Sequence, residues 1–202
     1  MPVTNLEMQS WPAWSELEQT AIVNIAPGHT LHIEKSSERM KLVVVRGDVQ
    51  IDGVNHGEGE VIEATGDIDV TSGNEPAVVV PLHGHWGNVT GGCGVFSGSR
   101  AAEPENRGTP VDYDRSTSFD NHYHDCDEYW IFVEGEAVAA SEGTFFHVQP
   151  GDVVITGAGD HHDLPEISAP IRAVYFETTL IGEKRTGHLW EHTHGKATPV
   201  RR

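Results

Sequence analysis

The chain has 202 residues and carries 13 Lys and Arg against 31 Asp and Glu, a net charge of −18 with neutral histidine. That charge argues against nucleic acid and anionic membrane as partners, since both bind clustered Lys/Arg. Apolar residues make up 37%, enough for a globular core, and no apolar run is long enough to span a bilayer.

The opening MPVTNLEMQSWPAW has no basic n-region and no apolar h-region, so no secretory signal is expected. Two cysteines, Cys93 and Cys126, make no disulfide framework, and a reduced cytoplasmic protein is the expectation. Helical periodicity is weak throughout; Ser10 to Glu18 is the best helix candidate, with Pro12 near its first turn. Trp11 and Trp14 read as packing or interface residues. Short β-branched and aromatic runs follow, separated by glycine and proline. They include Leu42–Val45, Val61-Ile62, Ala77–Val80, Tyr129–Val133, Val153–Ile155 and Ala173–Phe176. Such spacing predicts an all-β sandwich or barrel.

The region from Gly91 to Thr117 is rich in Gly, Ser, Pro and charge and reads as a long exposed connection. It separates two similar halves. Leu42–Val49 followed by Gly59-Glu60-Val61-Ile62 matches Trp130–Ala137 followed by Gly151-Asp152-Val153-Val154, with Gly47 and Gly59 12 residues apart and Gly135 and Gly151 16 apart. The expected division is 1–98 as one barrel, 99–116 as linker, 117–182 as a second barrel and 183–202 as a C-terminal tail.

Chemistry concentrates in residues 121–135. His122, His124 and Glu128 share parity, so on a strand all three face one side. Two imidazoles and a carboxylate on one face suit a first-row metal ion. Trp130 and Phe132 continue the parity and would wall the site, and Glu134-Gly135 would make the turn. Downstream, Pro150 to His162 reads as a strand entering a Gly-rich turn that delivers a further histidine.

These residues resemble the cupin superfamily. His122, His124, Glu128 and Gly135 match its first motif, though its upstream glycine is missing from Ser116–Asp120. Gly151-Asp152, Gly159 and His162 match its second, with Gly157 where a proline is usual. The resemblance covers about residues 111–182. It implies a jelly-roll β-barrel, two such barrels in tandem, and one divalent transition metal held by His122, His124, Glu128 and His162, with His161 the fallback for the fourth position. In the first half, Glu34, Ser36, Met40 and Val70 align with the four ligands, so that half is expected to be metal-free.

Cys126 reads as a small packing residue and Asp125 and Asp127 as solvent-facing. His161, Tyr175 and Glu177 are candidate catalytic residues, with His147 a further one as apt to face outward. His83-Gly84-His85-Trp86 lacks a following Glu and reads as structural. The tail residues His188, His192 and His194 read as surface rather than as a second metal site.

Three His and one carboxylate on a six-coordinate ion leave two positions, for a bidentate substrate or for substrate and O₂. The favoured expectation is an Fe(II) dioxygenase-type enzyme acting on a small, partly apolar metabolite. The alternatives are a Mn, Ni, Zn or Fe isomerase, epimerase or lyase, and a non-enzymatic small-ligand-binding cupin. Cupin pairing also implies a possible homodimer. Arg172, Lys184 and Arg185 are the cations that would have to reach the pocket for an anionic substrate.

Overall fold

The structure, a computed structural model, describes residues 3–182. The tail histidines His188, His192 and His194, with Lys184 and Arg185, lie outside the described residues. Among those residues there is no helix, and none long and apolar enough to cross a membrane. Ser10–Glu18, expected as a helix, is irregular until it enters a strand at Leu17. The segment joins an edge strand instead of forming an isolated short helix, which is marginal in water.

The strands are β1 (Val3–Asn5), β2 (Leu17–Thr20), β3 (Val23–Ile25), β4 (Thr30–Ile33), β5 (Arg39–Arg46), β6 (Val49–Ile51), β7 (Val54–His56) and β8 (Val61–Ala64). They continue as β9 (Ile68–Ser72), β10 (Ala77–Gly84), β11 (Cys93–Gly98), β12 (Glu128–Ser141), β13 (Thr144–Val148), β14 (Asp152–Thr156) and β15 (His162–Glu177). They fall into two units. One is Ser15–Trp86 with Cys93–Val95; the other takes the residues up to Trp14, Gly87–Gly92 and the chain from Phe96 onward.

The Ser15–Trp86 unit has a sheet ordered β2-β10-β5-β8, with β3 also on β10, and a sheet ordered β4-β9-β6-β7. Val43–Val45 and Val79-Val80 are buried without alternation, as in strands covered on both faces, and Val79↔Val44 and Val80↔Val43 pair between β5 and β10. Met40, Leu42, Val44, Val49, Ile51 and Val70 belong to its core. Of the positions aligned with the metal ligands, Met40 and Val70 are thus core residues, while Glu34 and Ser36 are exposed. His83 is buried and His85 pairs with Glu18 at 2.9 Å.

The other unit is a six-stranded sheet ordered β1-β14-β12-β15-β11, with β13 on β12. The first residues of the chain therefore do not belong to the first half: Val3, Thr4 and Asn5 pair with Val154, Val153 and Asp152. The expected 1–98 barrel therefore lacks its first residues, because the open edge of β14 takes up β1. Residues 99–116 also differ from a free linker. Ala101 N–H donates to Ser116 O at 2.7 Å, and Tyr113 and Arg115 bind the buried Asp163. A desolvated carboxylate needs such donors, and they anchor the connection.

Gly135 makes a bend rather than the expected turn. Strand β12 runs through it for 14 residues, with register shifts between Phe132 and Ala140 against β15. These bulges let a long strand curl around the core of Trp130, Phe132, Leu164, Ile167 and Ile171. The chain reverses later, at Glu142-Gly143 between β12 and β13. Gly135 sits at φ 81°, and a Cβ there would lie 2.1 Å from Pro170 O. Gly135→Ala is expected to cost more than about 1 kcal/mol, since both the conformation and the space reject a side chain; thermal unfolding checks it.

Candidate metal centre

His122, His124, Glu128 and His162 are all buried, and one ligand atom from each lies within 4.8 Å of the others. The route to this cluster differs from a single strand of shared parity. Strand β12 begins only at Glu128; His122 and His124 lie in the irregular stretch before it, and His122 is tied to His162 by an isolated two-residue bridge. His162 opens β15, delivered by the glycine turn after β14, where Gly159 N–H donates to His124 O at 2.8 Å. Because the parity is broken, Asp127 is not solvent-facing. It is fully buried, with Oδ1 accepting from Ala158 N–H at 2.9 Å, and it fastens the same turn. Asp125 is half-buried.

The histidines are aimed by their second nitrogens. His122 Nδ1–H donates to Asp120 O at 2.9 Å and His162 Nδ1–H to Asp160 O at 3.2 Å, which turns each Nε2 inward. Trp130 Nε1–H donates to Glu128 Oε1 at 2.9 Å, leaving Oε2 toward the imidazoles. Glu128 Oε2 lies 2.6 Å from His162 Nε2 and 3.2 Å from His124 Nε2. Yet Glu128 Oε2 and His162 Nε2 are buried and neither makes a hydrogen bond of acceptable geometry. Buried polar atoms left this way are costly unless a cation completes them, so the donor set fits a divalent transition ion.

The electrostatics agree. Burial resists ionisation of Glu128, but the His162 and His124 charges outweigh it and hold the carboxyl well below its usual range. Burial opposes protonation of His162 too, but Glu128 wins and raises it. Burial, with the charges of His162 and His124, pushes His122 well below the usual histidine range. Trp130→Phe removes the donor that orients Glu128 and is expected to weaken metal affinity by about 10–100-fold, as loss of an outer partner does; competition with a chromophoric chelator measures it.

The cluster opens onto a cavity of about 270 Å³ lined by Phe96, Phe119, Trp130 and Tyr175 together with His122, Glu128 and Glu177. Of the candidate catalytic residues, Tyr175 and Glu177 therefore reach the site. Glu177 is fully buried; its Oε1 lies 3.7 Å from His124 Nε2 and its Oε2 accepts from Gly92 N–H at 2.6 Å. His161 does not reach it. Successive residues of an extended chain point to opposite sides, so His162 turns in and His161 turns out, against Glu142 and Tyr123. His147 is exposed and Arg172 does not line the cavity. Cys126 is buried, and burial first, then Glu177 and Glu128, pushes its thiol up, as for a packing residue. Trp11 packs edge-on to Tyr129 at 6.2 Å.

Phe96 and Phe119 were not singled out from sequence. Phe96 stands on β11, inside the stretch expected as an exposed connection, and Phe119 lies in the irregular segment just after it; the pairing of β11 with β15 is what brings Phe96 to the site.

Strand order and donor set are those that the cupin resemblance implies. No protein-family model matches the chain. Solved structures similar in fold include oxalate decarboxylase from Lactobacillus farciminis in complex with formate (TM-score 0.56, 8% identity, 89% of this chain and 86% of that one) and AerE from Microcystis aeruginosa (TM-score 0.53, 10% identity, 80% and 90%). The chain shares the β-barrel fold of these structures, and it belongs to one family with "Uncharacterized protein y4oW" of Sinorhizobium fredii (strain NBRC 101917 / NGR234), to which it is 41% identical over 193 residues, 92% of this chain and 89% of that one.

Proposed function

We propose that the protein is a metal-dependent enzyme that oxidises a small, partly apolar metabolite with O₂, using Fe(II) held by His122, His124, Glu128 and His162. The observation that carries this reading is the buried cluster of three imidazoles and one carboxylate, whose ligand atoms lie within 4.8 Å of one another at the foot of an aromatic cavity. The ion would supply Lewis acidity and open coordination positions at which substrate and O₂ can meet. The chain does the rest. Phe96, Phe119, Trp130 and Tyr175 hold the apolar part of the substrate and exclude water. Trp130 and the carbonyls of Asp120 and Asp160 hold the ligands in orientation.

A second reading, a redox-neutral isomerase, epimerase or lyase on the same centre, is favoured by Glu177. A buried carboxylate lining the cavity beside His124 suits taking and returning a proton at Oε1.

The test is the metal content of anaerobically purified protein by elemental mass spectrometry, followed by O₂ uptake with a panel of small organic substrates. Stoichiometric iron with substrate-dependent uptake is expected. Zinc, manganese or nickel without uptake supports the redox-neutral reading. Little metal, even after reconstitution, overturns both and leaves a ligand-binding barrel.

A further inference from the structure

The cavity over the metal centre, about 270 Å³, is smaller than the pockets of about 300–1,000 Å³ that hold drug-sized ligands. Its wall is one continuous aromatic surface. The Phe96 ring lies 5.8 Å from Phe119, 5.7 Å from Trp130 and 6.4 Å from Tyr175, centroid to centroid, and Phe119 lies 5.5 Å from Trp130. All four pairs are tilted or edge-on, and a further ring packs on such a wall in the same way. Phe96, Phe119 and Tyr175 are half-buried, so their rings are the accessible part of it. Tyr175 rests against Gly92, which does not itself line the cavity. A Cβ on Gly92 would lie 2.7 Å from Tyr175 Cε2, so the ring takes the space that a side chain there would fill. Gly92 is not in the left-handed region, and space rather than conformation calls for glycine. Its backbone is also fixed in place. The N–H donates to Glu177 Oε2 at 2.6 Å, and the carbonyl accepts from Glu177 N–H at 2.8 Å.

We propose that Gly92 and Tyr175 together set the size of this cavity and confine it to compounds built on a single flat six-membered ring. With Tyr175 drawn back against Gly92, one ring packs on Phe96 and Phe119. A second fused ring would have to displace Tyr175, and the anchored Gly92 backbone leaves that ring nowhere further to retreat. A puckered, saturated ring of similar size fits but loses the ring-on-ring contacts. That such a compound is turned over at the metal rests on the enzymatic reading above. Its selection by ring size and flatness does not, and binding alone reads it.

The test is isothermal titration calorimetry on anaerobically purified protein of measured metal content, with benzamide, cyclohexanecarboxamide and 2-naphthamide. The three share one carboxamide, so any contact of that group with the ion is common to all. Saturable 1:1 binding of benzamide is expected. Cyclohexanecarboxamide should be weaker by about fivefold, and 2-naphthamide by about tenfold or more. Tyr175→Ala should reverse the order of benzamide and 2-naphthamide. Gly92→Ala pushes the Tyr175 ring into the cavity and should weaken benzamide by about tenfold. Thermal unfolding verifies the fold of both variants; if Gly92→Ala fails to fold, wild type and Tyr175→Ala decide. Absence of saturable benzamide binding, equal affinity of the wild type for the three amides, or an unchanged order in Tyr175→Ala overturns the proposal. Ring selection that persists in protein without iron or O₂ uptake supports it and overturns the oxygenase reading alone.

Discussion

His162→Ala is expected to lose most of its metal, while the neighbouring His161→Ala keeps it. The two residues differ by one step along an extended chain, which sends one ring to each side. His162 Nε2 lies 2.6 Å from Glu128 Oε2, whereas the His161 ring is held outside by Glu142. Loss of an outer partner costs about 10–100-fold in affinity, and loss of a ligand atom should exceed that. The variant also strips Glu128 of its strongest counter-charge. With burial unopposed by His162, its carboxyl shifts upward in the metal-free protein. Metal per chain, measured by elemental mass spectrometry on both variants, decides the matter. Retention in His162→Ala with loss in His161→Ala would exchange the two assignments.

Arg115→Met is expected to destabilise the fold by about 3–5 kcal/mol at neutral pH, the range for breaking a buried ion pair from one side. Asp163 is fully buried; Arg115 and Tyr113 both donate to its Oδ2, the tyrosine at 2.8 Å, and Leu164 N–H donates to Oδ1 at 2.7 Å. Burial raises the Asp163 carboxyl above its usual range, and Tyr113 and Arg115 only partly counter this. A group whose folded value is raised contributes stability that is present at low pH and lost as pH rises through the folded value. Removing Arg115 raises it further. The cost is therefore greatest at neutral pH and shrinks as pH falls toward the ordinary aspartate range. Urea unfolding at pH 7 and pH 5 measures both. A cost below about 1 kcal/mol at neutral pH would place the pair among solvent-screened surface contacts instead.

The all-β class was readable because β-branched runs and glycine punctuation repeat over the whole chain. The grouping of His122, His124, Glu128 and His162 was readable because these residues lie close in sequence on two local motifs. The path of the backbone between them was not. Parity assumed a strand from His122 onward, but strand geometry starts at Glu128, so Asp127 turned inward against expectation. Asp163 and Arg115 were invisible for a different reason. Their pairing joins positions 48 apart, and nothing in the Gly- and Pro-rich stretch around Arg115 marks one charge as buried among many that are solvated. The role of Gly135 was misjudged because a glycine at positive φ serves a bulge as readily as a turn, and only the Pro170 carbonyl packed against it separates the two.

The pairing of β1 with β14 has a consequence for how the chain is made. Asn5 and Asp152 are hydrogen-bonded across 147 positions, and nearly all of the Ser15–Trp86 unit is spelled out between them. During synthesis that contiguous stretch can collapse while the ribosome is still translating the metal-bearing region. The first few residues must wait, unpaired, until β14 emerges. Closing such a long-range contact comes late and slowly. A fragment cut at residue 117 would be born with β14 as a bare edge, the kind of surface through which sheets aggregate.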